Sequence, residues 1–175
     1  MNEANAGHQI VVMGVSGSGK STIGALIADA LGAAFIDGDS LHPMENVAKM
    51  AAGKPLTDTD RWPWLAQVGQ ELRGAVATGL VVAYSALKRS YRTAILADAP
   101  AAMFIHLDGT SEVLSTRMEG RSDHFMPPAL LESQLATLER LEPEEPGFRT
   151  DIDRPVQEIV DAALAGLAVQ PAPSS

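Results

Sequence analysis

The sequence predicts a three-layer α/β/α domain, in which helices cover both sides of a five-stranded parallel sheet. Short, continuous apolar runs with the character of buried strands alternate along the chain with segments whose apolar residues recur at helical spacing. A glycine-rich loop joins the first run to the first helix, at the point where open parallel sheets bind their ligands. The length of 175 residues suits one domain with a proper core, so we expect a single domain over 1–175 with disordered ends at 1–7 and 170–175.

Five apolar runs predict the strands. They cover residues 10–13, 33–36, 80–84, 102–107 and 148–152, and the last is the weakest because it contains Arg149, Thr150 and Asp151. The predicted helices start directly after the glycine-rich loop and then near residues 40, 65, 85, 111, 131 and 153. His106 falls inside the fourth run, where we expect a packed structural histidine and not a catalytic one.

Composition excludes several classes of function. Hydrophobic residues make up 46% and charged residues 20% of the chain, as in globular proteins, and no apolar run is long enough to cross a bilayer. The net charge of −9 argues against nucleic acid as a partner, because phosphate backbones are bound through an excess of Lys and Arg. The chain has no cysteine and its first residues lack the pattern of a secretory signal, so we expect a cytoplasmic protein with no membrane partner.

The loop GVSGSGKS at residues 14–21 has the sequence of a phosphate-binding loop. Its glycines allow main-chain N–H groups to approach an anion, and the following helix adds its unpaired N–H groups and its dipole. Lys20 would reach the β- and γ-phosphates, and the hydroxyl of Ser21 would bind Mg²⁺. The predicted nucleotide-binding residues are Gly14, Val15, Ser16, Gly17, Ser18, Gly19, Lys20, Ser21 and Thr22. By itself the loop predicts a site for ATP or GTP.

Two aspartates follow the second predicted strand, where Asp37 and Asp39 flank Gly38. Because the carboxyl ends of parallel strands face one crevice, both carboxylates should lie near the phosphate-binding loop. One of them could hold Mg²⁺ through its water shell, and the other could accept the proton of an attacking hydroxyl. An ordinary Asp-Gly turn with a helix cap is the alternative.

Residues 40–65 have the composition of a substrate-binding segment, rich in polar residues, proline and glycine. Within it, Arg61 could pair a carboxylate through its forked guanidinium group. The alternative is an ordered surface loop in which Trp62 and Trp64 serve only for packing, and for the tryptophans this second interpretation is favoured.

Two basic clusters follow apolar runs. The segment 85–92 opens a predicted helix at the crevice and carries Lys88, Arg89 and Arg92, which could present cations to an anionic substrate. A second segment, residues 117–128, begins with two arginines four residues apart and ends in paired prolines, which predicts a lid that closes over the phosphates and excludes water. Solvated helix faces and exposed turns are the alternatives.

These motifs together resemble the gluconokinase family of small-molecule kinases, which is related in fold to the shikimate and nucleoside monophosphate kinases. The resemblance covers residues 9–165 and lies in GVSGSGKS at 14–21, DGDSLHP at 37–43, NVAKMAAGKPLTDTDRWPWL at 46–65, SALKRSYR at 85–92 and HFMPPALLESQLATLE at 124–139. It implies a P-loop kinase that transfers the γ-phosphoryl group of ATP to the 6-hydroxyl of D-gluconate, with Mg²⁺ as cofactor. Relatives also suggest a homodimer.

The resemblance implies roles for particular residues. Asp39 would bind the acceptor hydroxyl and take its proton, and Asp37 would steady hydrated Mg²⁺ beside Ser21. Charge on the phosphates would be stabilised by Lys20, Arg117 and Arg121. The candidates for holding gluconate are His42, Arg61, Lys88, Arg92 and His124.

Two other functions remain open from the sequence. One is a kinase for another small hydroxy acid, such as shikimate or a different aldonate, which would share the loop and the aspartate pair. The other is a nucleotide-dependent switch or binding module without turnover, which would leave the polar segment 40–65 unexplained and lacks an Asn-Lys-x-Asp guanine signature.

Overall fold

The computed structural model of the chain describes residues 7–15, 17–41, 43–52, 56–119 and 128–169, without the side chains of residues 39, 47, 50, 51, 117–119 and 128–130. The strands are β1 Gln9–Met13, β2 Ala34–Asp37, β3 Leu80–Ala83, β4 Met103–Asp108 and β5 Gly147–Asp151. The helices are α1 Lys20–Leu31, α2 Met44–Ala51, α3 Asp58–Gly74, α4 Arg89–Asp98, α5 Ser111–Glu119, α6 Pro128–Thr137 and α7 Val156–Val169, with a 3-10 helix at Gly38–Leu41.

The sheet has the strand order β2-β3-β1-β4-β5, and every neighbouring pair is parallel. From β1 the chain runs to the edge strand β2, returns to β3 beside β1, and then continues to β4 and β5 on the other side of β1, and all carboxyl ends meet at one edge. The loop after β1 lies at the point where the direction of winding reverses, which is where such sheets bind ligands. The predicted five-stranded parallel α/β fold is confirmed.

Alternation along β1 explains why helices cover both faces of the sheet. Ile10 and Val12 pack on one side with α1 and α7, whereas Val11 and Met13 pack on the other side with α3 and α4. Successive side chains of a strand point to opposite faces, so a fully buried strand must be apolar at every position. The two apolar clusters hold the strand ends, and the loops attached to them, in fixed relative positions.

Helix α3 begins earlier than the sequence pattern predicted. The predicted start near residue 65 is wrong, because Thr57 accepts a hydrogen bond from the backbone N–H of Asp60 while the Asp60 carboxylate accepts one from the N–H of Thr57. This reciprocal cap fixes the first turn, and the helix then continues through Pro63. Arg61 consequently lies on a helix and not in an irregular loop.

The segment before α4 is also different from the prediction. Residues 85–88 are not helical, and Lys88 takes an extended conformation at the N-cap of a helix that starts at Arg89. Ala86 has φ of 45°, in the left-handed region that non-glycine residues avoid. In a helix over the whole segment, Lys88 and Arg92 would share one face because they are four residues apart, but Lys88 precedes α4 and they do not.

Strand β4 carries His106, whose side chain is buried. Its Nδ1 atom has no hydrogen-bond partner among the described residues. Burial lowers the pKa of His106 to about 4; Asp108 opposes this shift, and the positive charges of Arg140, Arg92 and Arg149 add to it. The imidazole is therefore neutral at physiological pH, in agreement with the expected structural role.

A neutral buried histidine makes stability depend on pH. The folded-state pKa lies below the ordinary value of 6.5, so the unfolded chain binds more protons between about pH 6.5 and 4, and stability falls as pH falls through this window. We expect His106→Gln to remove up to about 3 kcal/mol of that pH-dependent loss. Urea unfolding of both proteins across this range measures the difference, and parallel stability curves would contradict the assignment.

Candidate active site

The loop after β1 is shaped by glycines at three positions with positive φ. Gly14, Gly17 and Gly19 have φ of 151°, 87° and 92°. A Cβ atom on Gly14 would lie 2.8 Å from Ser18 Oγ and 2.9 Å from the carbonyl oxygen of Leu107. Side chains are thus excluded at this position, and the main chain can close around an anion.

Lys20 is the first residue of α1, and its Nζ donates a hydrogen bond of 3.1 Å to the carbonyl oxygen of Val15. The N-cap residue is Gly19, which has no side chain that could accept a hydrogen bond from the N–H groups of the first turn of α1. Because the first N–H groups of a helix have no partner within the helix, this end of α1 suits a phosphate group. The described part of the loop has the form that nucleotide binding requires.

The hydroxyl of Ser21 donates a hydrogen bond of 2.6 Å to Asp37 Oδ2. These two residues come from different elements, Ser21 from the first turn of α1 and Asp37 from the end of β2. The structure therefore brings together the two residues that the sequence assigned to a metal. A hydroxyl and a carboxylate oxygen side by side are the kind of ligands that Mg²⁺ prefers.

The Asp37-Gly38 segment is fixed against β3. The carbonyl oxygen of Gly38 accepts a hydrogen bond of 2.9 Å from Trp64 Nε1, and the Trp64 ring meets Tyr84 edge to face. A Cβ atom on Gly38 would lie 2.6 Å from the carbonyl oxygen of Ala83. Only glycine fits here without movement of the backbone, so Gly38 sets the direction in which the chain leaves β2. Buried Trp64 is a packing residue, as expected.

Replacing Gly38 tests this constraint. Gly38→Ala should push the segment away from β3, which lowers stability by about 1–3 kcal/mol and disturbs the Ser21–Asp37 contact. Gly74→Ala is the matched control, because a Cβ there meets nothing within 4 Å and alanine suits the end of a helix. Thermal unfolding of the wild type, Gly38→Ala and Gly74→Ala measures the difference in stability. Equal stability of the two variants would contradict the constraint at Gly38.

A cluster around Tyr91, which we call the Tyr91 cluster, joins α3 to the residues that follow β3. Its members are Asp58, Arg61, Trp62, Lys88 and Tyr91. The Tyr91 hydroxyl donates a hydrogen bond of 2.6 Å to Asp58, and Lys88 Nζ lies 3.4 Å from the same carboxylate. Arg61 and Lys88 lie over the Tyr91 ring, at 5.6 and 5.5 Å from its centroid. Two of the predicted substrate-binding cations are thus brought together. Trp62 packs against the same ring but is 41% exposed, so it is not a buried packing residue.

Charge and hydrogen bonding shift two pKa values in the Tyr91 cluster. The hydrogen bond from Tyr91 and the charge of Lys88 lower the pKa of Asp58. Burial, together with the hydrogen bond to Asp58, raises the pKa of Tyr91 to about 12. Asp58 is therefore ionised at neutral pH and Tyr91 is protonated and donates to it. A carboxylate held in this way is an acceptor suited to hydroxyl groups.

Arg92 is placed differently from the prediction. Its side chain is fully buried, and its Nε and NH2 groups donate to the two carboxylate oxygens of Glu145 at 2.7 and 3.1 Å. NH1 donates to the carbonyl oxygen of Ala86 at 2.8 Å. Because the guanidinium is fully buried among these partners, it is not accessible to a ligand in the crevice, and the interpretation of Arg92 as a gluconate ligand is not retained.

Sequence reasoning missed Asp108, the last residue of β4. Its Oδ2 accepts hydrogen bonds from Arg140 at 2.7 Å and from Arg149 at 2.9 Å. The predicted strand stopped one residue short, at Leu107, which hid an acid at the carboxyl edge of the sheet. A predicted strand longer by one residue would have placed Asp108 at its carboxyl end.

A pocket of about 450 Å³ lies between α5 and the residues after β5. It is lined by Glu112, Val113, Thr116, Ile152, Asp153 and Arg154. Asp108 connects this pocket to the sheet, because its carbonyl oxygen accepts the N–H of Ile152. No pattern in the sequence predicted the pocket, because its lining comes from two distant segments.

Several predicted residues cannot be placed. Ser16, His42, Arg121 and His124 lie outside the described residues, as does most of the predicted lid. Asp39 lies in the 3-10 helix directly after β2, and Arg117 in α5, but their side chains are not among those described.

The parallel sheet, the glycine loop at its reversal point and the adjacent Ser21–Asp37 pair define a P-loop nucleotide-binding protein. The shikimate kinase family model matches residues 16–159. A gluconokinase of Gluconobacter oxydans is 49% identical over 142 residues, covering 80% of each chain. The thermosensitive gluconokinase of Escherichia coli is 43% identical over 89% of this chain and 85% of its own. A crystal structure of a gluconokinase from Sinorhizobium meliloti superposes with a TM-score of 0.84 at 52% identity, covering 94% of this chain and 93% of that one. The chain belongs to the gluconokinase family of ATP-dependent kinases, as the resemblance of its motifs predicted.

Two negative findings complete the description. None of the helices that the structure describes combines the length and the apolar character needed to cross a membrane. Within the same part of the chain, no group of three or more His, Cys, Asp or Glu side chains could hold a metal ion.

Proposed function

We propose that this protein is a gluconokinase, which transfers the γ-phosphoryl group of ATP to the 6-hydroxyl of D-gluconate and yields 6-phospho-D-gluconate and ADP. Similarity to gluconokinases over most of the chain supports the substrate. The observation that carries the proposal is the 2.6 Å hydrogen bond between Ser21 and Asp37, because it joins the nucleotide loop to the segment that leads into the acceptor residues. Phosphoryl transfer requires these two parts to be adjacent.

The nucleotide would occupy the loop from Gly14 to Thr22. Lys20 would stabilise charge on the β- and γ-phosphates, and Arg117 and Arg121 would add to this from the lid side. The pocket between α5 and the residues after β5 is our candidate for binding the adenine base of ATP. It lies next to the carboxyl end of β4, as the phosphate-binding loop does. The pocket volume of about 450 Å³ is large enough for a nucleotide base.

Mg²⁺ would be held by Ser21 and, through water, by Asp37. The adjacent hydroxyl and carboxylate oxygens fit this ion, which takes few protein ligands and completes its shell with water and phosphate oxygens. When bound, Mg²⁺ neutralises charge on the phosphates.

Gluconate would lie against the Tyr91 cluster. Arg61 and Lys88 supply the positive charge for its carboxylate, and the carboxylate of Asp58, already held by the Tyr91 hydroxyl, supplies acceptor oxygens for its hydroxyl groups. Cations are needed because both reactants are anions and the protein itself carries a net charge of −9. His42 and His124 stay in the proposed set on the strength of the family resemblance.

Asp39 would act as the base. As gluconate O6 attacks, its proton passes to the Asp39 carboxylate, the new O6–P bond forms and the bond from the γ-phosphorus to the bridging oxygen breaks, releasing ADP. The position of Asp39 directly after Asp37 and Gly38 supports this role, because the Gly38 contact with β3 fixes where the chain emerges. A cytoplasmic location and a homodimer complete the proposal, the first from composition and the second from the family resemblance.

An acceptor panel tests the function. In a coupled assay of ADP release, we expect turnover with gluconate to exceed that with shikimate, other aldonates or nucleoside monophosphates by at least about 100-fold in kcat/KM. Preference for a different hydroxy acid would support the alternative small-molecule kinase. Equal turnover with and without any acceptor would support a nucleotide-dependent switch and sink the proposal.

Asp39→Asn tests the base. Turnover should fall by about 100-fold or more because the amide cannot accept the proton, while ATP affinity should change little. Asp29→Asn, on an exposed position of α1, is the matched control and should behave as wild type. Activity of Asp39→Asn within a few-fold of wild type would show that another group takes the proton.

A further inference from the structure

We propose that Arg92 and Glu145 are positioning residues that hold the acceptor loop, residues 84–88, in the conformation that gluconate binding requires. This inference rests on the proposed function and adds to it a mechanism by which buried groups, which touch no substrate, set the affinity for the acceptor. The acceptor loop connects β3 to α4 and ends at Lys88, one of the two cations of the Tyr91 cluster.

The loop contains one backbone position that is unfavourable in isolation. Ala86 has φ of 45°, and among the described residues it is the one non-glycine residue with positive φ. Its carbonyl oxygen accepts a 2.8 Å hydrogen bond from Arg92 NH1. A single well-directed donor at this carbonyl stabilises the left-handed conformation that the Cβ atom opposes.

Glu145 fixes the donor. Both of its carboxylate oxygens bind Arg92, and one of them also accepts the backbone N–H of Glu142 at 2.8 Å. The Glu145 side chain is 5% exposed and that of Arg92 is 0% exposed. A buried ion pair contributes little net stability because of its desolvation cost, whereas its fork geometry fixes direction well. The hydrogen bond to the Ala86 carbonyl oxygen depends on the direction of the Arg92 donor, and the pairing with Glu145 fixes that direction.

The acceptor loop is bound on both sides to parts of the active site. The carbonyl oxygen of Ser85 accepts the N–H of Gly14, the first residue of the phosphate-binding loop, at 3.3 Å. At the other end, Lys88 contacts Asp58 and Tyr91. A change at Ala86 would therefore alter the distance between the phosphate-binding loop and the acceptor cations.

The segment that carries Glu145 makes further contacts with the same region. The N–H of Glu139 donates to the carbonyl oxygen of Leu87 at 2.7 Å, and the N–H of Arg89 donates to the Glu139 carboxylate at 2.9 Å. Residues 139–145 thus support the acceptor loop along its whole exit into α4. Arg92 and Glu145 form the buried part of this support.

Arg92→Lys is the first test. Lysine keeps the charge, but its single nitrogen cannot bind Glu145 in a fork and also reach the Ala86 carbonyl. We expect the KM for gluconate to rise about tenfold, as for the loss of one directed hydrogen bond, with the KM for ATP within about twofold. A residue that served folding alone would lower the melting temperature and the active fraction while leaving the gluconate KM unchanged.

Rescue and control variants sharpen the test. Ala86→Gly removes the Cβ that opposes the left-handed conformation, so in the Arg92→Lys background it should bring the gluconate KM back to within about threefold of wild type. Glu144→Gln is the matched control, because Glu144 pairs with Arg89 at 2.8 Å on the exposed side of the same segment. Its kinetic constants should stay within about twofold of wild type.

The outcomes separate this inference from the proposed function. A wild-type gluconate KM in Arg92→Lys, or failure of the Ala86→Gly rescue, overturns the positioning role. If Arg92→Lys does not fold, Glu145→Gln keeps the side-chain shape and must raise the gluconate KM selectively; an unchanged KM there also overturns it. Absence of gluconate turnover in the wild type contradicts the proposed function instead, and the same variants are then measured with the acceptor that the panel identifies.

Discussion

The close contact between Gly38 and the carboxyl end of β3 is the constraint on which the rest of the site depends. Because no side chain intervenes, the chain leaving β2 passes directly over Ala83, and the Trp64 indole holds it there. This path places Asp37 beside Ser21 in the first turn of α1. One backbone approach thereby holds the start of the segment after β2 next to the first turn of α1.

Charge is organised locally in this acidic protein. With 13 Lys and Arg against 22 Asp and Glu, a cation is available to a substrate only where acidic partners do not saturate it. Arg92 is saturated by Glu145 and serves the backbone of the acceptor loop. Lys88 shares one exposed carboxylate with Tyr91, and Arg61 lies over the same ring, which leaves both arranged around a surface that an anion could approach.

Much of the fold could be predicted from sequence because its signals are local. Apolar runs predicted the strands, and the glycine-rich loop predicted the edge of the sheet that binds the ligand. The start of α3 was missed because a capping box at Thr57 and Asp60 outweighs the irregular composition around Pro63. The role of Arg92 was missed because its partner, Glu145, is 53 residues away, and no spacing rule reveals such a pair. Asp108 was missed because strand ends are the least certain part of a periodic pattern.

The central claim is that the Gly38 constraint aligns the terminal phosphate with an alcohol held at the Tyr91 cluster. A crystal structure with Mg²⁺, a non-hydrolysable ATP analogue and gluconate tests it most directly. The account predicts gluconate O6 between the γ-phosphate and the Asp39 carboxylate, with the gluconate carboxylate at Arg61 and Lys88. Gluconate bound with O6 directed away from Asp39, or bound apart from the Tyr91 cluster, would contradict it.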